Sequence, residues 1–348
     1  MIHESGPKVE RDIRKKLDYT TPLASIVRPY YKTPRGAAFL GDATALLPTL
    51  EDETIDLIVT SPPFALVRQK RYSSTPDFLD AKDYLNWFLP IAQQFHRVLK
   101  KDGSLVLHIG GSWNPGFPTK SLYNFELLLK LCEGGPFSLA QDFYWFNPAK
   151  MPSPIEWTNV ERIRVKDAVE PIWWLCKNPE GKTKSRNTRV LIEYTDSMLK
   201  LFKRGKYDDG HRPSGYDVSP KSFLHKHRGA IPPNLTPYPN LLPFANTGSN
   251  GPYLSNCKKY QVPVNPARFP IEVPEFFIRF LTTRKSQIVL DAFAGSNSTG
   301  YAAEKLGRRW LAFEKSEDYL KGSMFRFFEP RRAIAMWSRA RPVVEPQK

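Results

Sequence analysis

The chain has 348 residues, 41% of them hydrophobic, enough to bury one large core and a smaller appended module. A formal charge of +16 favours a polyanionic partner, with nucleic acid the natural candidate, because each phosphate neutralised by Lys or Arg releases condensed counterions. No apolar run approaches the roughly 18 residues that a membrane span needs, Met1 to Lys16 lacks a signal-peptide core, and Cys132, Cys176 and Cys257 have no C-x-x-C spacing, so a membrane protein, a disulfide scaffold and a metal site are all disfavoured. A cytoplasmic protein acting on nucleic acid is the expectation.

Residues 1–35 mix charges with Pro22, Pro29 and Pro34 and read as an extended N-terminal arm. From 36 to 178 strands and helices alternate. The apolar run Ile55-Asp56-Leu57-Ile58-Val59 predicts a strand, and Leu85, Phe88, Ala92, Phe95 and Leu99 recur at helical spacing up to a break at Asp102-Gly103. Ser104 to Ile109, Asp142 to Phe146 and Pro171 to Leu175 read as further strands, with a helix from Leu122 to Leu131. Strands separated by helices imply right-handed crossovers and a mainly parallel sheet. The region from 179 to 262 is different: between Lys177 and Arg228 thirteen basic residues face six acidic ones, and turns rich in Pro and Gly follow. Alternation resumes at 263–330, with a helix from Pro274 to Thr283, a strand into Asp291, a helix from Ser298 to Gly307, the strand Arg309 to Phe313 and a helix from Asp318 to Phe328. Residues 331–348 read as a tail.

Two motifs follow buried strands and therefore lie at the C-terminal edge of the sheet, where open α/β folds bind ligands. Thr60-Ser61-Pro62-Pro63-Phe64 suits an exocyclic amine, since consecutive prolines remove backbone donors and fix φ, so that a rigid turn presents carbonyl oxygens. Asp291-Ala292-Phe293-Ala294-Gly295-Ser296-Asn297-Ser298-Thr299-Gly300 suits a small nucleoside cofactor, because Gly300 precedes Tyr301 rather than Lys-Ser/Thr and the spacing is not G-x-G-x-x-G.

With Gly41-Asp42-Ala43, Asn246-Thr247, Asn265-Pro266-Ala267-Arg268-Phe269-Pro270 and Glu314 added, the set resembles the amino-methylating DNA methyltransferases of restriction-modification systems. It is most similar to their cytosine-N4 branch, in the permuted order that puts the catalytic motif first and the cofactor loop last. The resemblance implies an α/β fold, a circularly permuted, Rossmann-like S-adenosylmethionine-dependent methyltransferase sheet with an inserted target-recognition region at 179–262. It also implies duplex DNA as partner and a cognate endonuclease. Ser61 Oγ and the Pro62 carbonyl would accept the amino hydrogens, Pro63 would stiffen the turn, and Phe64 would stack on a base flipped from the duplex. Phe293 and Gly295 would line the cofactor with Ala43, Asp291, Ser296 and Asn297; Glu314 would hold the ribose and Asp42 the adenine amine.

Arg68, Lys70 and Arg71 precede a polar run and are expected to form a lid on DNA phosphates. Arg186, Arg189, Arg204, Arg212 and Arg228 are candidates for reading base edges, which need forked donors. An adenine-N6 enzyme shares the fold but usually carries Asp or Asn at the position of Ser61. A cytosine-C5 enzyme needs a thiolate, usually in a Pro-Cys turn, and no cysteine here follows a proline. A catalytically silent DNA-binding module is the alternative from another class.

Overall fold

A computed structural model of the chain describes residues 27–65, 80–147, 150–207, 210–211, 215, 217–236, 251–268 and 270–337. Its strands are β1 (Tyr31–Lys32), β2 (Gly36–Leu40), β3 (Ile55–Thr60), β4 (Leu99–His108), β5 (Ser138–Phe146), β6 (Val169–Cys176), β7 (Gly210–His211), β8 (Asp217–Val218), β9 (Leu235–Thr236), β10 (Ile288–Asp291) and β11 (Arg309–Glu314). Its α-helices are α1 (Ala43–Leu46), α2 (Ala81–Val98), α3 (Tyr123–Cys132), α4 (Asp196–Arg204), α5 (Pro252–Lys259), α6 (Glu272–Leu281), α7 (Ser298–Lys305), α8 (Glu317–Ser323) and α9 (Pro330–Trp337). All strands except β7 and β8 join one sheet in the order β1-β2-β11-β10-β3-β4-β6-β5-β9.

The centre of the sheet, β2, β11, β10, β3 and β4, is parallel. β3 and β10 are buried at every residue, as parallel strands covered on both faces must be. From β10 the chain runs through α7 to β11 on one side, and from β3 through α2 to β4 on the other. The order therefore reverses between β10 and β3, creating a crevice at their C-terminal ends. Thr60 closes β3 there and donates a hydrogen bond to the Asp291 carboxylate at the end of β10 (2.8 Å). The two motifs, distant in sequence, are thus joined side chain to side chain.

Side-chain alternation divides the core between the sheet's two faces. On one face Ile58 and Leu105 pack with Phe88 and Phe95 of α2 and Leu127 of α3; on the other Leu57, Val59 and Val106 pack with Phe277 of α6 and Ala302 of α7. α2 starts at Asp80, whose carboxylate accepts from Asp83 N (2.8 Å), and buries Tyr84, Leu85, Phe88, Ile91, Ala92, Phe95 and Val98 along one stripe. No described helix is long and apolar enough to cross a membrane.

The sheet is mainly parallel as expected, but mixed, because β6 inserts antiparallel between β4 and β5 and β1 pairs antiparallel with β2. α2 ends at Val98, and Asp102-Gly103 lies inside β4 beside a register shift rather than at the helix end. The described end of the N-terminal arm is not a free extension. Tyr31 is 2% exposed, ring-packed on Trp310 and Phe327, with its hydroxyl bonded to Ser323 and Asn297. At the other end Pro330–Trp337 is helical, so the predicted tail begins inside a helix whose Ala333 is buried. The 179–262 region adds β9 to the sheet edge through β5, and its residue Arg186 bonds through its backbone N–H to the Phe280 carbonyl (3.0 Å).

Candidate active site

Ser61 stands one residue beyond β3, and its Oγ lies 2.9 Å from Nδ1 of His108, the last residue of β4. The other ring nitrogen, Nε2, lies 2.8 Å from Oε2 of Glu170 on β6, whose Oε1 takes a hydrogen bond from Lys150 Nζ (2.6 Å). A carboxylate on Nε2 fixes the proton there, so Nδ1 is an acceptor and the Ser61 hydroxyl donates to it. A hydroxyl that donates keeps its oxygen lone pairs available as acceptors. Burial opposes ionisation of Glu170, but the hydrogen bond from His108 and the hydrogen bond and charge of Lys150 outweigh it and hold the carboxyl below the usual carboxylate range. Sequence reasoning missed His108, Glu170 and Lys150.

Pro62 is buried and Phe64 half-buried, with its ring edge-to-face on His108 at 5.3 Å. Gly110, just past β4, is required beneath that ring, because a Cβ there would overlap the Phe64 edge. The Ser112 hydroxyl donates to the Ala65 carbonyl (2.5 Å), fastening the turn after Phe64 to the loop that follows β4.

On the cofactor side, Gly295 adopts φ 52°, and a Cβ on it would fall on Nδ2 of buried Asn265. Asn265 is pinned in turn: its backbone N–H donates to the Tyr253 hydroxyl (3.1 Å) and its Oδ1 accepts from Ala267 N (2.8 Å). The turn around Asn265, whose purpose the sequence leaves open, therefore braces the glycine loop. Glu314, closing β11, accepts from Gly295 N and Ser316 N, each at 2.7 Å. Burial pushes its carboxyl up to about 7 against those donors, with the charge of Asp291 adding; burial likewise pushes Asp291 up to about 6. A desolvated carboxylate at a strand end, satisfied by backbone donors alone, fits a diol that gives it two further O–H bonds. Phe293 packs on Trp87 of α2 at 5.7 Å, so Trp87 joins the wall that Phe293 was expected to form alone.

Other predicted cofactor residues have structural duties. Asn297, fully buried at φ 53°, accepts from Gly300 N (3.0 Å) as the N-cap of α7 and donates to Tyr31 (2.9 Å), so its side chain is turned from the crevice. Ser296 points its hydroxyl at Ser298 and Arg326. Asp42 caps α1 through Thr44 N (2.9 Å) and pairs with Lys315 (3.3 Å), and Ala43 is buried in that helix.

The basic field is narrower than its composition. Lys184 is spent on buried Asp56 (2.8 Å) and on Asp102, and Arg189 donates to the carbonyls of Lys184, Phe280 and Thr282, capping the C-terminal end of α6. Arg189 thus has its fork committed to the fold, which corrects the expectation that it reads bases. Arg186 and Arg228 are exposed, as is Arg204, whose Nε donates to the Lys206 carbonyl (2.8 Å). Arg212, Asn246-Thr247 and the expected lid cations Arg68, Lys70 and Arg71 lie outside the described residues.

The sequence model of the DNA methylase family matches residues 55–325. The type II methyltransferase M.PvuII of Proteus hauseri is 45% identical over 304 residues, covering 87% of this chain and 86% of its own. The DNA adenine methyltransferase YhdJ of Escherichia coli is 23% identical over 289 residues, 81% of this chain and 79% of its own. The solved PvuII cytosine-N4-specific DNA methyltransferase superposes with a TM-score of 0.70 at 39% identity, over 90% of this chain and 95% of that one. The chain belongs to the DNA methylase family and is an S-adenosylmethionine-dependent DNA methyltransferase.

Proposed function

We propose that this enzyme methylates the exocyclic N4 of a cytosine flipped out of duplex DNA, by direct in-line attack with no covalent enzyme intermediate, and protects host DNA in the cytoplasm beside a cognate endonuclease. It is a site-specific DNA methyltransferase of the cytosine-N4 branch. The observation that supports the mechanism is Ser61 Oγ, one residue beyond β3 and 2.9 Å from His108 Nδ1. S-adenosylmethionine supplies the electrophilic methyl when bound. The amine's lone pair is delocalised into the cytosine ring, and Ser61 Oγ with the Pro62 carbonyl favours a tetrahedral nitrogen by accepting its hydrogens. Phe64 stacks on the flipped base, and Glu314 and the Gly295 loop fix the cofactor, so that positioning supplies most of the rate. A thiolate route has no support: burial pushes the thiols of Cys132, Cys176 and Cys257 up, and Cys176 and Cys257 are buried in the core.

On this reading residues 36–178 form the catalytic half, 179–262 the target-recognition region and 263–330 the cofactor half. Single-molecule sequencing of DNA from a host expressing the chain should find 4-methylcytosine at one motif. Methyladenine there would move the enzyme to the N6 branch, and unmodified DNA would leave only a silent binding module.

The Glu314 carboxyl sets a pH dependence for cofactor affinity. Its pKa of about 7 means that acid neutralises the group that accepts the ribose hydroxyls, so affinity should fall as pH drops from 8 to 6, approaching tenfold per unit below the titration point. Calorimetry on Glu314→Gln should return weak binding that is flat with pH. A wild-type affinity constant across this range would remove Glu314 from the cofactor site.

Sequence choice should track the exposed arginines. Replacing a base-reading arginine among Arg186, Arg204 and Arg228 by Lys keeps the charge but loses the fork, which should cost about 1–3 kcal/mol on the preferred site and relax one position of the motif. Non-specific binding should barely change. If all three Lys variants methylate the original motif with wild-type selectivity, base reading lies elsewhere.

A further inference from the structure

The same crevice holds a proton path. Methylating an exocyclic amine leaves a proton to dispose of: the nitrogen gains a methyl group from sulfur and must give up one of its hydrogens to return to neutrality. Ser61 cannot keep that proton, because a hydroxyl is a poor base. Its Oγ, however, is 2.9 Å from His108 Nδ1, and His108 Nε2 is 2.8 Å from Glu170, which Lys150 holds at 2.6 Å. His108 is 4% exposed and follows the buried apolar run Leu105-Val106-Leu107, which limits the access of competing water.

We infer that His108, acting through Ser61, is the proton acceptor of the methyl transfer, and that Glu170 and Lys150 form the device that holds it ready. As the bond between the methyl group and sulfur breaks and the bond to N4 forms, an N4 proton passes to Ser61 Oγ while the hydroxyl proton of Ser61 passes to His108 Nδ1. Ser61 ends unchanged, sulfur ends as a neutral thioether, and His108 ends as an imidazolium whose Nε2–H still faces the Glu170 carboxylate. Release of methylated DNA then lets the imidazolium lose its proton to solvent. Lys150 keeps Glu170 from taking that proton, so the acid form of the pair stays on the ring. Among the described residues, Phe64 and Trp145 meet the ring edge-on at 5.3 and 5.7 Å, and the phenol of nearby Tyr123, bonded to the Gly110 carbonyl, is kept protonated by burial. His108 is a positioning and relay residue, since it reaches the base only through Ser61.

This inference rests on Ser61 as the amino acceptor, and its test separates the two. Single-turnover methyl transfer is measured from pH 5.5 to 9 on the full chain with duplex DNA, for wild type, His108→Asn and Glu170→Gln, with cofactor and DNA affinities measured alongside. With the relay in place, the wild-type rate should fall with slope one in acid. His108→Asn should lose roughly 10²-fold at pH 8 and lose that acid limb, with both affinities within about threefold of wild type. Glu170→Gln should keep a limb but move it to lower pH, because the ring loses the carboxylate that favours its cation; a merely structural part would not move it. If His108→Asn keeps the wild-type rate and limb, or Glu170→Gln lowers the rate without moving the limb, the relay is overturned while cytosine-N4 methylation stands. Absence of 4-methylcytosine from wild-type product would instead overturn the function on which it rests.

Discussion

Ser61→Ala should lower single-turnover methylation by roughly 10²-fold or more and leave S-adenosylmethionine affinity nearly unchanged. The variant loses the Oγ acceptor at the amine and the hydroxyl that donates to His108 at 2.9 Å, while Pro62 and its carbonyl stay on a rigid, buried turn. Thr60 still reaches Asp291, so the crevice keeps its shape. An interaction that strengthens only as the nitrogen becomes tetrahedral shows up in the chemical step and not in ground-state binding. A variant with near-normal turnover would strip Ser61 of its role; one that lost cofactor binding in proportion would show that the substitution disturbed the fold.

Gly295→Ala should act on the other wall, abolishing measurable cofactor binding or weakening it by roughly 10²-fold. A φ of 52° costs an L-residue about 1–2 kcal/mol, and the new Cβ would land on the Asn265 amide. The amide cannot swing aside cheaply, since Ala267 N and the Tyr253 hydroxyl hold that residue at both ends. The loop must therefore move, taking with it the Gly295 N–H that positions Glu314. Calorimetry checks the loss. The double variant with Asn265→Ala should recover part of the affinity, because removing the obstacle leaves only the backbone strain. Additive losses in the double variant would place the defect somewhere other than the Asn265 contact.

Much of the sheet was legible because its strands are apolar runs ended by turn chemistry: Ile55 to Val59, Ser104 to Ile109 and Arg309 to Phe313 all fall on observed strands. The two motifs were legible because each follows such a run. β2 was not, since Gly36-Ala37-Ala38-Phe39-Leu40 carries small residues whose partner, Trp310 stacked where a side chain on Gly36 would sit, is far along the chain. Nor was the His108 relay, whose members are separated by 47 and 62 residues. The available signal was an ionisable residue closing the apolar run Leu105-Val106-Leu107 at the ligand-binding edge, and a glutamate ahead of the apolar run Ile172-Trp173-Trp174-Leu175 of β6. Asn297 and Arg189 went the other way: their residue types suit ligands and bases, but local backbone groups with open hydrogen-bonding capacity claim them first. Composition cannot distinguish a charge facing solvent from one that caps a helix.

β2 and β3 follow one another in sequence yet lie apart in the sheet, with β11 and β10 filling the space between them. During synthesis both strands emerge with an edge unpaired, and the strands that cover them come some 250 residues after Thr60, on the order of ten to fifty seconds later at ribosomal speed. For that interval the nascent chain presents β3, buried on every side in the finished protein, as a sticky parallel edge. The permuted order thus makes the pairing of β10 with β3 a late event in synthesis, and a chain cut short before Ile288 leaves that edge of β3 without its partner.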